Sequence, residues 1–298
     1  MSNPLFIPEV WESAWKNDPH TQGYKMKKGG IDAAQGLGKR AASFNEQSFN
    51  EEGKQRTKRI IRWLQGQGVD FEKASILDIG AASGVFSLPF AELGATVTAI
   101  EPSVPLASLL EANITEPLSG HIEIVREQFE NISIEEKAWN GKFDLVFASM
   151  CPAITDWEMV EKAISCAKQH CYISTLAGPQ VHSLIQELRP VLGIAEQPPG
   201  SSDTAYLTQL LYLKGYSFES LITREVKTAM LSIDEAVRTT LEWMPHYGFP
   251  VDEGSLKKAE GYIRETHNKG MVEIQQGGRF GKVLVHLQNQ HMYTREVE

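Results

Sequence analysis

The chain has 298 residues, 42% of them hydrophobic and 22% charged, a mixture suited to a large α/β core and unlike that of a disordered or fibrous protein. Its net charge of −9 argues against a broad nucleic-acid surface, because phosphate binders carry a basic excess or stripe. Three cysteines, Cys151, Cys166 and Cys171, are too few for a disulfide framework and match no zinc spacing, so no metal is expected and they read as small buried hydrophobes.

The first residues show no basic stretch leading into an apolar core, and no run reaches membrane-spanning length. A cytoplasmic protein without a membrane partner is expected. Residues 1–50 read as a largely irregular segment, with Trp11, Trp15 and Tyr24 able to anchor it on a folded body or serve in a lid. A helix follows over about 51–66, and its basic cluster, Lys54, Arg56, Lys58, Arg59 and Arg62, reads as a solvated face.

Strands are expected at about 75–79, 96–100, 121–125, 143–148 and 171–175, with helices between them at about 84–93 and 104–113. Thr155-Asp-Trp-Glu158 has capping-box spacing and should open a helix to about Gln169. Beyond Gly178-Pro179 come helices at about 180–192 and 203–214, separated by a linker at 197–202, then an extended stretch over 217–230. Ser232-Ile-Asp-Glu235 is a second capping box. It opens the first of two helices that form an insertion at about 232–268, before a turn at 277–281 and a last strand at 282–287. Alternation at this pace means βαβ units and a mainly parallel sheet.

The densest chemistry lies in Asp78-Ile-Gly-Ala-Ala-Ser-Gly84 and in Glu101, at the end of the second strand. Glycines at 80 and 84 permit a sharp strand-to-helix turn and close ligand approach, with the amides of Ala81, Ala82, Ser83 and Gly84 expected to face the crevice. The spacing is not G-x-G-x-x-G, and Asp78 would repel a pyrophosphate while attracting an ammonium group. Glu101 suits two ribose hydroxyls. An amino-acid-bearing nucleoside therefore fits better than a nicotinamide dinucleotide.

These residues resemble the first motif and the ribose-binding acid of the class I S-adenosylmethionine-dependent methyltransferases. The resemblance extends to Val125–Glu130, where Gln128 and Phe129 would meet the adenine, and to Phe143–Met150, whose end, with Ser149 and Met150, lies beside the transferable methyl group in that family. It implies a Rossmann-like, doubly wound, seven-stranded sheet with an antiparallel last strand. It also implies an N-terminal lid over residues 1–50 and a methyltransferase domain over 51–298. The cofactor would be S-adenosylmethionine, with S-adenosylhomocysteine as product, held by Asp78, Gly80–Gly84, Glu101, Pro102, Gln128, Phe129, Ser149 and Met150. Ala82 stands where the family often has glycine, and Pro89 falls within the first helix of the fold.

Methyl transfer from a sulfonium depends chiefly on positioning, so no catalytic base is evident. A small-molecule acceptor is expected, with Cys151, Trp157, Trp243, His246 and Tyr247 as candidates to face it. Ser149 occupies the place of the aspartate used by RNA ribose methyltransferases, which argues against an RNA acceptor. The rival reading is a catalytically idle S-adenosylmethionine-binding protein in regulation or assembly.

Overall fold

The computed structural model describes residues 3–28, 38–194, 202–267 and 270–289. Its helices and strands, in chain order, are α1 (Pro8–Asn17), α2 (Gln22–Lys28), α3 (Ala41–Phe49), α4 (Glu51–Gly66), β1 (Ser75–Ile79), α5 (Ser87–Glu92), β2 (Thr96–Ile100), α6 (Val104–Asn113), β3 (Ile122–Val125) and β4 (Phe143–Ser149). They continue with α7 (Trp157–Cys166), β5 (Ala167–Leu176), β6 (Val181–His182), α8 (Ser183–Val191), α9 (Asp203–Leu213), β7 (Ser217–Ser232), α10 (Ile233–Trp243), α11 (Glu253–Thr266) and β8 (Met271–His286).

One eight-stranded sheet organises the chain in the order β3-β2-β1-β4-β5-β8-β6, with β7 along the other side of β8. The first five strands pair in parallel, and β8 runs antiparallel to β5, β6 and β7. Period-two alternation divides the core into two layers. Leu77, Ile79, Val146, Ile173 and Val283 join Trp15, Val160 and Leu210 on one face. Ile76, Phe147, Tyr172 and Leu284 meet Ile60, Leu64 and Phe90 on the other. Side chains such as Phe90, Phe147 and Leu64 are fully buried, and each contributes roughly 1.5–3 kcal/mol of burial.

Several local expectations change. The described residues of 1–50 include α1, α2 and α3 where an irregular segment was expected. The first helix after the glycine turn begins at Ser87, which puts Pro89 in its first turn, where an amide has no intrahelical partner and a proline is accommodated without strain. The cap of α7 is Asp156, accepting from the Met159 amide at 3.2 Å, one residue beyond the expected Thr155. Aspartate caps better than threonine, and Thr155 instead packs so closely on Gly23 that a Cβ there would lie 2.8 Å from it. Helix α7 ends at Cys166, because residues 167–170 extend β5 and pair with β4 and β8.

The largest difference lies near the C-terminus. The expected turn at 277–281 is strand, part of a sixteen-residue β8 paired along its whole length with β7, from Ser217↔His286 to Ser232↔Met271. Two of the three glycines that suggest a turn, Gly277 and Gly281, allow close strand and helix approach: a Cβ on Gly281 would lie 2.2 Å from Thr204 Oγ1. The Ser232–Glu235 capping box forms as expected. It opens α10, which packs with α8 and α11 around Met244, Phe249 and Ile263 as a helical lobe at the hairpin tip. Residues 197–201 of the expected linker lie outside the described residues.

Gly277 sits at φ 147°, and a Cβ there would lie 2.0 Å from the Glu225 carbonyl oxygen. Gly277→Ala should therefore cost more than about 2 kcal/mol in chemical denaturation. Gly66→Ala, with nothing within 4 Å of the added carbon, should cost little.

Candidate active site

The parallel strands β1, β2 and β4 end together, and the turns that follow them converge above the sheet. After β1 the chain turns through Gly80 (φ 77°), Ala82 (φ 50°) and Gly84 (φ 91°). A Cβ on Gly80 would lie 2.7 Å from Cys151 Sγ, so only glycine lets this turn approach the segment after β4. Ala82 holds a left-handed conformation that costs a non-glycine residue about 1 kcal/mol. Gly84 serves packing, since a Cβ there would meet Leu110 Cδ1 at 2.6 Å.

The turn is held by Glu101. One carboxylate oxygen accepts from the Ala82 amide and the other from the Ser103 amide, each at 2.8 Å. The Gly80 and Ala81 amides donate to the Ile100 carbonyl at 2.9 and 3.0 Å, and the Gly84 amide donates to the Ala81 carbonyl at 2.9 Å. Of the expected row of amides facing the crevice, those of Ala81, Ala82 and Gly84 are thus spent inside the protein, which leaves little to cradle a pyrophosphate. Each Glu101 oxygen keeps a second lone pair for a ligand hydroxyl. Burial raises the Glu101 pKa, opposed by those two amides.

Two cavities meet at Phe44, Gly80, Ala82, Ser149 and Met150. The first, about 430 Å³, is lined by Glu101, Pro102, Gln128 and Phe129, together with Met150 and Cys151. Such a volume suits a nucleoside-sized ligand. The Cys151 thiol is pushed up to about 12 by burial, so it is no nucleophile at neutral pH.

The second cavity, about 370 Å³, lies on the α4 side of the sheet. Strand alternation assembles its floor, with Asp78, Ser149, Ser174 and Lys282 projecting from β1, β4, β5 and β8 on the face that also carries Ile76, Phe147, Tyr172 and Leu284. Met150, at φ 51°, donates its amide to both the carbonyl and the Oγ of Ser174 at 3.0 Å. Asp78 is 2% exposed and accepts from Ser87 Oγ at 2.6 Å. Burial raises its pKa to about 7, opposed by the Ser87 hydrogen bond.

The N-terminal helices cover the first cavity through Gly23, Tyr24, Met26 and Lys27. They are anchored by Asp203 at the start of α9, which accepts from Trp15 Nε1 at 2.9 Å and from the Gln22 amide at 3.2 Å. Trp15 also stacks on Tyr206, while Trp11 meets that ring edge-on, so both tryptophans anchor the segment and Tyr24 alone of the three reaches a cavity.

Other expected residues fall elsewhere. Ser83 is fully buried and lines neither cavity, as does Gly84. Trp157 is buried in the core with the Lys214 ammonium 5.0 Å above its ring. Trp243 lies under the Arg40 guanidinium, and Tyr247 packs in the helical lobe against His182. The His246 side chain lies outside the described residues. Sequence reasoning missed Ser174, Glu225 and Lys282, which the alternation of β5, β7 and β8 could have placed. Among the described residues no group of three or more His, Cys, Asp or Glu side chains could hold a metal, and no helix is long and apolar enough to cross a membrane.

Residues 52–193 match a family model described as a methyltransferase domain. The human protein named EEF1A lysine methyltransferase 2 is 31% identical over 129 residues, covering 41% of this chain and 50% of that protein. The Danio rerio protein of the same name is 33% identical over 148 residues, covering 48% and 55%. The chain thus spans about half the length of the curated relatives it matches. Among solved structures, magnesium protoporphyrin IX methyltransferase from Synechocystis, with S-adenosylhomocysteine bound, superposes with a TM-score of 0.45 at 14% identity, covering 82% of this chain and 87% of that one. The expected small-molecule acceptor is corrected by the two curated relatives, whose names specify a protein lysine.

Asp78 gives a pH signature. Its pKa is raised from 3.8 to about 7, so the folded state binds the proton more tightly, and the cost of ionising the buried acid grows as pH rises across that window. Asp78→Asn should stabilise the protein at pH 8 by at most about 4 kcal/mol and have little effect near pH 4, as measured by denaturant unfolding.

Proposed function

We propose that residues 52–193, which match a methyltransferase-domain model, form a class I S-adenosylmethionine-dependent methyltransferase domain, and that the protein methylates a lysine side chain of a protein acceptor. The observation that carries this reading is the pair of joined cavities, one fitted to a nucleoside and the other opening from it across Gly80 and Met150. The curated relatives support lysine as the acceptor. When bound, S-adenosylmethionine supplies an electrophilic methyl group on a sulfonium.

The chain's own residues bind and orient. Glu101 would hold the ribose hydroxyls, and Gln128 and Phe129 would meet the base. The glycine turn fits the cofactor because the Gly80, Ala81, Ala82 and Gly84 amides are internally satisfied and a carboxylate, Asp78, lies beneath it in place of an anion cradle. Helices α1 and α2 act as a cover that excludes water from the first cavity, with Asp203 as their anchor.

The second cavity suits a lysine in two ways. Phe44, Trp63, Phe86 and Phe280 supply apolar walls for its methylene stem. Arg56, Arg59 and Lys282 outnumber Asp78 and Glu225, and this positive bias disfavours an ammonium and favours the neutral amine that attacks. Asp78 and Glu225 are the carboxylates placed to take the departing proton.

The test is transfer of tritium from methyl-labelled S-adenosylmethionine to a protein extract freed of small molecules, followed by acid hydrolysis and amino-acid analysis. Label should appear in N-methyllysine and be absent with Gly80→Arg. Label confined to other residues, or none at all, would count against the lysine reading.

A further inference from the structure

We propose that β7 is the interface of a symmetric dimer, in which it pairs antiparallel with β7 of a second copy about a two-fold axis at Val226. The strand is a free edge of the sheet: among the described residues it pairs with β8 alone, over sixteen residues. In antiparallel pairing alternate residues turn N–H and C=O away from the neighbour. Among the described residues no backbone group outside β8 bonds to the β7 main chain between Phe218 and Leu231. Edge strands are commonly blunted by short length, a proline or a bulge. β7 has none of these, and its register with β8 runs unbroken from Ser217 to Ser232.

The sequence of this edge is complementary to itself. From Ser220 to Ser232 it reads Ser-Leu-Ile-Thr-Arg-Glu-Val-Lys-Thr-Ala-Met-Leu-Ser, close to a palindrome of residue class about Val226. A two-fold axis there sets Glu225 opposite Lys227 of the second copy, and Lys227 opposite its Glu225. Ile222 meets Met230 and Leu221 meets Leu231. These pairs cover the three large apolar side chains that β7 exposes, Leu221, Ile222 and Met230, at 38%, 49% and 54%. Moving the axis one residue either way sets Glu225 against Glu225 or Lys227 against Lys227. An axis at Thr223 restores a Glu–Lys pair, through Glu219, but sets Leu221 against Glu225 and Ile222 against Arg224.

The Val226 register pairs residues of like parity, so side chains of one face meet side chains of the same face. Its charges are free to engage. Glu225 and Lys227 are both partly exposed, and their ion pairs within the chain, to Lys282 at 3.4 Å and to Glu52 at 3.6 Å, are long. Leu221, Thr223 and Glu225 also line the second cavity. The pairing therefore stands Leu231, Ala229 and Lys227 of the second copy beside that wall. The axis is normal to the sheet, so both second cavities lie on one side of the joined sheets.

Sedimentation velocity of the full chain over a concentration series tests the pairing. The wild type should sediment with twice the mass of one chain. Lys227→Glu, which sets carboxylates opposite each other at two places, should weaken the dimer about tenfold or more, and Glu225→Lys should do the same with ammoniums. Mixed in equal amounts, the two variants should regain dimerisation as a heterodimer, because each presents the charge that the other lacks; that recovery also shows both to be folded. Val226→Cys, which faces its own copy, should form an interchain disulfide on mild oxidation, whereas Thr228→Cys, opposite Arg224, should not. The three native cysteines are buried and give little background. A monomer at every concentration would overturn the proposal, as would a dimer that Lys227→Glu leaves intact and Val226→Cys does not cross-link.

Discussion

A single buried carboxylate fixes the geometry on which the site depends. Glu101 ties the turn after β1 to the start of α6 by accepting the Ala82 and Ser103 amides, one on each oxygen. Leaving those two buried amides unpaired would cost about 1–3 kcal/mol apiece. The same hydrogen bond holds Ala82 in its left-handed conformation and keeps Gly80 against Cys151. The group that shapes the turn thus also lines the first cavity, where the proposed function places the ribose.

The second organising constraint is the parity of the sheet. On the α4 side, four neighbouring strands bring Asp78, Ser149, Ser174 and Lys282 to one floor, and β7 adds Thr223 and Glu225. The long pairing of β7 with β8 fixes which face Lys282 presents, because a one-residue slip would turn it to the other side. Positive charge therefore collects on one side of Gly80 and negative charge on the other.

The central strands and the glycine turn were legible because each rests on local signals: apolar runs of strand length, glycines where φ is positive, and an acid at a strand end. The same logic located Glu101, Gln128 and Phe129 in one cavity. What escaped depends on distant partners. The glycines at 277 and 281 look like a turn until Glu225 and Thr204 are seen pressing on them. Trp243 and Tyr247 have the composition of a pocket, but Tyr247 packs into a separate helical core and Trp243 lies under the Arg40 guanidinium. Asp203 is one ordinary helix-start acid in the sequence, and its role appears only when Trp15 and Gln22 reach it from the N-terminus. Arg56 and Arg59 are exposed, as the reading of a solvated basic face has them; that they also border a cavity depends on strands more than 160 residues away.

The account is tested most directly by a crystal structure of the protein with S-adenosylhomocysteine. It predicts both ribose hydroxyls on the Glu101 carboxylate, with the Ala82 and Ser103 amide bonds retained and the adenine between Gln128 and Phe129 in the first cavity. A ligand bound elsewhere, or a Glu101 that meets only its two amides while the ribose lies out of reach, would contradict it.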